Sequence, residues 1–100
     1  MKQKKIDIPE PLIIDFCKKH NISRMALFGS VLDERFDKDS DIDVLVEFKE
    51  GFVPGFKFFS LQEELSQLLG REVDLNTPKF LSRYFRSDVI SQAKTIYESK

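Results

Sequence analysis

The sequence has no tryptophan, one cysteine, four glycines and no surplus of charge of either sign, and each scarcity removes a class of function. Cys17 alone cannot close an internal disulfide. It sits beside Phe16 on an apolar stripe, where a thiol behaves as a small hydrophobe, so a reducing cytoplasmic setting is expected. Sixteen basic against seventeen acidic residues give a formal charge of −1, which supplies no net positive field to hold a nucleic-acid backbone. Lys4, Lys5, Lys18, Lys19 and Arg24 are read as solvated surface. The beginning MKQKKIDIPEP lacks the apolar segment of a signal peptide, and no run approaches the roughly 20 apolar residues that span a bilayer. A soluble protein with no membrane partner is expected.

What is present fits one small domain over residues 1–100. Hydrophobic residues make up 41% of the chain and ten of them are Phe, so a few bulky rings are expected to supply much of a modest core.

After a polar leader, Pro9 and Pro11 precede Leu12, Ile13, Phe16 and Cys17, whose spacing predicts a helix over roughly 10–20. Met25–Phe28 is a short apolar run stopped by Gly29-Ser30, a buried strand entering a tight turn. From Asp41 to Phe48 the pattern alternates, with Ile42, Val44, Val46 and Phe48 on one face of a second strand. A Gly/Pro-containing link then leads to a second helix through Phe58, Leu61, Leu65, Leu68 and Leu69, which stops at Gly70. Val73 and Leu75 alternate with Glu72 and Asp74 in a third strand that Thr77-Pro78 ends. Phe80, Leu81, Tyr84 and Phe85, then Val89, Ile90, Ala93, Ile96 and Tyr97, keep helical spacing and predict one or two closing helices. The order α-β-β-α-β-α implies a small α/β domain with helices packed on one sheet.

The chemistry resides in acids placed where strands disfavour them. Asp41 and Asp43 are two residues apart, so both project from the face opposite Ile42, Val44 and Val46. Two such carboxylates repel by about 4 kcal/mol at an effective dielectric of 20, a cost that a bound divalent cation removes. Asp74 offers a third carboxylate, provided that its strand lies beside the second. Three oxygens with open positions suit Mg²⁺, which shares its shell with substrate phosphates. Gly29-Ser30 adds a backbone that can approach an anion closely, with a hydroxyl and N–H groups for phosphate oxygens. Singly, an Asp-x-Asp pair is most often a turn or strand edge and a Gly-Ser pair only a turn. Their conjunction carries the argument.

Gly29-Ser30, ten intervening residues, Asp41-Ile42-Asp43 in an apolar strand and a later Asp74 together resemble the DNA polymerase β-like nucleotidyltransferase superfamily. Within it, LFGSVLDERFDKDSDIDVLVEF and GREVDLNTP are similar to the minimal nucleotidyltransferases, the MNT antitoxins encoded beside HEPN-domain toxins. The resemblance implies a single-domain α/β (α+β) fold, a mixed sheet flanked by helices, in which the ending with Ala93 and Tyr97 matches a terminal helix. It further implies that Asp41 and Asp43 hold two Mg²⁺ ions, that Asp74 is the third acid and proton acceptor, and that Gly29 and Ser30 contact the triphosphate of ATP. Its acceptor would be a tyrosine of a HEPN ribonuclease toxin, bound in a hetero-oligomer and silenced by adenylylation. Many relatives carry Ala-Arg-Gly shortly after the Gly-Ser pair. Here Leu32-Asp33-Glu34 stands there with Arg35 next, which leaves Arg35 as either a displaced phosphate contact or a solvated loop residue.

Other residues read more plainly. His20, at the end of the first helix, is expected to cap it or face water. Ser40 is given a structural role beside Asp41. Phe58 and Phe59 are assigned to the core, as are Leu61, Leu65 and Leu68, whereas Phe52 and Phe56 beside flexible glycines are candidates for contacting a partner or nucleotide. Two alternatives to the protein-modifying enzyme stand beside it. One is a non-catalytic antitoxin that neutralises its partner by binding alone, and the other is a transferase acting on a small molecule or RNA, for which so short a chain offers little acceptor pocket.

Overall fold

The computed structural model describes residues 8–32, 40–81, 83–84 and 86–99, and of Ser30 and Phe80 the backbone alone. Helix α1, Glu10–Lys19, begins after Pro9 with Pro11 in its first turn, where a missing N–H costs nothing. Glu10 at its start and Lys18 and Lys19 at its end agree with the helix dipole. Ile13, Phe16 and Cys17 form its buried stripe, and burial pushes the Cys17 thiol up to about 12, so it stays protonated and inert. Asn21 turns the chain at φ 59°, a left-handed conformation that Asn tolerates better than most residues.

Strand β1, Ile22–Phe28, starts earlier than its apolar run suggested. Its first turn outward is polar for a reason: the Ser23 hydroxyl donates to the Glu47 carbonyl at 3.1 Å, and the Arg24 guanidinium reaches Glu47 at 3.1 Å and the Thr95 hydroxyl at 2.9 Å. Strand β2, Ile42–Phe48, runs antiparallel to β1. Helix α2, Lys57–Leu69, follows and ends at Gly70 in the left-handed region, φ 70°. It returns the chain to strand β3, Val73–Asn76, which pairs parallel with β2, as a helical crossover permits.

The closing segment differs from the expected helix. After a 3₁₀ turn at Pro78–Phe80, helix α3 covers only Arg86–Gln92, and Lys94–Glu98 is strand β4, antiparallel to β1. Ile96 and Tyr97 therefore belong to a sheet edge and pack against the core from there. The sheet order is β3-β2-β1-β4, so the observed succession is α-β-β-α-β-α-β and the sheet is mixed.

Helices α1 and α2 lie on one face of the sheet, over Ile22, Met25, Ile42, Val44, Val46, Val73 and Leu75, and Phe58, Leu61 and Leu65 come down from α2. Leu68 is half-buried and packs against the core from its margin, whereas Phe59, expected in the core, points outward with 68% of its surface exposed. His20 neither faces water nor only caps: it is 5% exposed, packs edge-on against Phe16 at 4.7 Å, and its Nε2 lies 3.3–3.4 Å from the Glu64 carboxylate oxygens. Burial pushes Glu64 up, but the hydrogen bond and charge of His20 and the nearby Lys19 outweigh it and hold that carboxyl below its ordinary range. Among the described residues no helix is long and apolar enough to cross a membrane.

Candidate active site

The ladder between β2 and β3 decides where the acids point. Ile42 donates its N–H to the Glu72 carbonyl at 2.9 Å, and the register then sets Ile42 beside Val73 and Asp43 beside Asp74. Ile42 and Val73 are buried beneath the helices, so the alternation of the strand sends Asp43 and Asp74 together to the opposite face, on strands about 4.8 Å apart. Asp41, one residue ahead of β2 and exposed, shares their parity. The condition set by the sequence, that the strand of Asp74 lie beside that of Asp43, is met.

Electrostatics reports the same proximity. Asp43 is raised above the ordinary carboxylate range, first by its burial, then by the charges of Asp74 and Asp41. Asp74 and Asp41 thus both act on the half-buried Asp43.

Gly29 closes the site from β1. It follows Phe28, which pairs with Asp43, and opens the 3₁₀ turn Gly29–Leu32 that Val31 anchors in the core. Its φ is +78°, and a Cβ there would overlap an Asp43 carboxylate oxygen and lie 3.1 Å from Asp43 Cγ. Only a residue without a side chain lets the Asp43 carboxylate rest against this backbone. Ser30 continues the turn by its backbone, while its hydroxyl and Arg35 fall outside the described residues.

A divalent cation suits this donor set chemically: every candidate ligand is a carboxylate oxygen, and their mutual repulsion falls when positive charge enters. Among the described residues no three His, Cys, Asp or Glu side chains already surround one point. Two carboxylates are fixed by strand register and Asp41 would complete the set from the exposed residue before the strand.

Several positioning contacts were not foreseen from the sequence. On the outer edge of β3, Ser66 Oγ accepts the Val73 N–H at 3.0 Å and Gln62 Oε1 accepts the Leu75 N–H at 2.9 Å. These two side chains stand one turn apart on α2 and satisfy the edge on either side of Asp74. Nothing in the sequence sets them apart from the other polar residues of this amphipathic helix. Arg71 donates from Nη2 to the Ser40 backbone carbonyl at 2.7 Å, a contact that does not depend on the serine side chain.

The remaining features lie elsewhere. Phe52 is half-buried with its ring 5.7 Å from Phe48, and Phe56 is 93% exposed. Both follow the far end of β2, roughly 17 Å along the strand from Asp43. An open groove of about 720 Å³ between α1 and β4, lined by Ile14, Lys18, Lys49, Ile96, Tyr97 and neighbours, contains none of the three acids.

Comparison with known proteins follows the same lines. The family model described as Polymerase beta, Nucleotidyltransferase matches residues 12–100. A candidate protein adenylyltransferase of Methanocaldococcus jannaschii is 35% identical over 81% of this chain and 86% of its own length. The protein adenylyltransferase MntA of Thermococcus cleftensis is 39% identical over 58% of each chain. The chain spans about three fifths of the length of several such relatives. Among solved structures, one described as a minimal nucleotidyltransferase superposes with a TM-score of 0.69 at 32% identity, over 84% of this chain and 85% of the other. A toxin–antitoxin crystal structure with AMP-PNP gives a TM-score of 0.73 at 23% identity, over 93% and 76%. The complex of a tri-AMPylated Shewanella oneidensis HEPN toxin with its MNT antitoxin gives 0.64 at 24% identity, over 90% and 70%. At those identities the last two speak for the fold.

Proposed function

Because the chain belongs to the Polymerase beta nucleotidyltransferase family, we propose that it transfers AMP from ATP to a hydroxyl, expected to be a tyrosine, of a HEPN ribonuclease toxin and acts as that toxin's antitoxin. The observation that carries the reading is the register of Asp43 beside Asp74, with the Asp43 carboxylate resting on Gly29. The relatives named for protein adenylylation support the chemistry, and the toxin–antitoxin complexes that share the fold suggest the class of partner.

In this reading Asp41 and Asp43 would hold Mg²⁺, two ions being expected, with Asp74 beside them. When bound, the metal neutralises charge on the phosphates of ATP. Gly29 lets the backbone approach the triphosphate, and Ser30 supplies hydrogen-bond donors to it. Asp74, exposed at the mouth of the site, accepts the proton of the attacking hydroxyl. The hydroxyl oxygen bonds to the α-phosphorus as the bond from that phosphorus to the bridging oxygen breaks, and pyrophosphate leaves.

A second reading, neutralisation by contact alone, is favoured by one feature: Val53, Phe56 and Phe59 are 83%, 93% and 68% exposed on one stretch remote from the acids. The two readings separate in one experiment. Calorimetry of the chain with AMP-PNP should show binding that requires Mg²⁺ and disappears in Asp41→Asn with Asp43→Asn. If that double variant still neutralises the toxin fully, contact alone suffices and the enzymatic reading of the antitoxin is wrong.

A further inference from the structure

We propose that Arg71 is a positioning residue that holds the Asp41–Asp43 segment in place against the strand of Asp74, an inference that rests on the metal-nucleotide reading above. Asp41 precedes β2 and has no partner of its own in the β2–β3 ladder, so its place depends on the residues that flank it. On one side Ile42 is fixed through its N–H to the Glu72 carbonyl at 2.9 Å. On the other, the Ser40 carbonyl is gripped by Arg71 Nη2 at 2.7 Å. The short distance marks a charge-assisted hydrogen bond.

Arg71 is itself well anchored. Gly70, at φ 70°, reverses the chain out of α2, and the Arg71 N–H donates to the Ser66 carbonyl at 3.2 Å. Ser66 also accepts the Val73 N–H through its hydroxyl. The end of α2, the start of β3 and the start of β2 are therefore tied through one residue. Because it grips a backbone carbonyl, Arg71 acts through Asp41 and not on the reacting atoms. A lysine can keep one such hydrogen bond and the charge, whereas methionine keeps only the stem.

The test uses Mn²⁺ as the metal probe, with the whole chain and with Arg71→Met and Arg71→Lys. Free Mn²⁺ is measured by electron paramagnetic resonance in the presence of AMP-PNP, and amide exchange at Ile42 and Asp43 by NMR. Arg71→Met should bind Mn²⁺ about tenfold or more weakly, the range for losing a group that orients a metal ligand. Its Ile42 and Asp43 amides should exchange faster. Arg71→Lys should recover most of both, and high Mn²⁺ should restore the transfer rate of either variant. Mn²⁺ binding and amide exchange in Arg71→Met equal to those of the unaltered protein would overturn the proposal. So would a raised KM for ATP with unchanged exchange, which would make Arg71 a direct phosphate contact. Should Arg71→Met not fold, Arg71→Lys decides alone: it must fold, retain Mn²⁺ binding within a few-fold, and show intermediate exchange. An unaltered protein that binds no Mn²⁺ under these conditions would instead overturn the metal-nucleotide reading, and this proposal with it.

Discussion

Gly29 and Asp43 share one space: a side chain at Gly29 would begin where the Asp43 carboxylate already lies. Gly29→Ala must therefore displace that carboxylate and also place an alanine at φ +78°. The backbone term alone costs about 1 kcal/mol. Transfer should fall much further than stability does, by about 100-fold or more, since the displaced group is a candidate metal ligand. Thermal denaturation beside a transfer assay checks the split. An active Gly29→Ala would mean that the contact between Gly29 and Asp43 is incidental.

Asp43 gives a pH signature with a definite sign. Its carboxyl is raised, chiefly by burial and then by Asp74 and Asp41, so the folded chain holds this proton to a higher pH than the unfolded chain does. Between the ordinary and the raised value the native state binds more protons, and stability from this group falls as pH rises. It is lowest once Asp43 is ionised. Asp43→Asn should flatten that part of the stability profile and leave the protein at least as stable at pH 7, while abolishing transfer. Saturating Mg²⁺ with AMP-PNP should likewise remove the penalty in the unaltered protein. Denaturation midpoints across mildly acid to neutral pH decide, and an Asp43→Asn variant less stable than the parent at pH 7 would contradict the electrostatic account.

The edge of β3 makes a separate claim. Gln62→Leu leaves the Leu75 N–H without its 2.9 Å acceptor, and Ser66→Ala does the same to Val73 at 3.0 Å. Each should destabilise by about 1–3 kcal/mol, the cost of an unsatisfied part-buried donor. Chemical denaturation measures it, and a neutral Gln62→Leu would show that water replaces the side chain at no cost.

How far the sequence revealed this depends on what each residue has to bury. Strand β2 was legible because Ile42, Val44 and Val46 face a helix layer and must alternate with Asp41 and Asp43; α2 was legible because Leu61 and Leu65 keep helical spacing up to Gly70. The adjacency of Asp43 and Asp74 was posed as a condition, because register depends on a crossover that no local pattern encodes. Strand β4 was misread as helix. As a half-exposed edge it needs no strict alternation, and Val89, Ile90, Ala93, Ile96 and Tyr97 fit a helical period by spacing alone, although Thr95-Ile96-Tyr97 has strand character. His20 was missed because its burial depends on Glu64, 44 residues further on. Arg71, Gln62 and Ser66 escaped notice since their partners are backbone groups, which leave no mark in sequence.

The aromatic residues before and within α2 should divide sharply. Phe58 is 6% exposed and packs against Phe48, so Phe58→Ala should cost about 3–5 kcal/mol. Phe56→Ser with Phe59→Ser, both largely exposed, should change stability by no more than about 0.5 kcal/mol. Including Phe52 would confound this, since it rests on Phe48. If the Phe56 and Phe59 pair serves toxin contact, the same double variant weakens the complex in a pull-down with the HEPN protein; a large loss of stability would instead place these rings in the core.

The central claim is that the face carrying Asp41, Asp43 and Asp74 transfers AMP to a protein. The most direct measurement is the intact mass of the proposed partner, a HEPN-domain protein, after incubation with the chain, ATP and Mg²⁺. The account predicts a gain of whole adenylyl groups that disappears with Asp43→Asn, and peptide mapping should locate them on tyrosine. An unchanged mass in a stable complex of the two proteins would contradict it and leave neutralisation by contact.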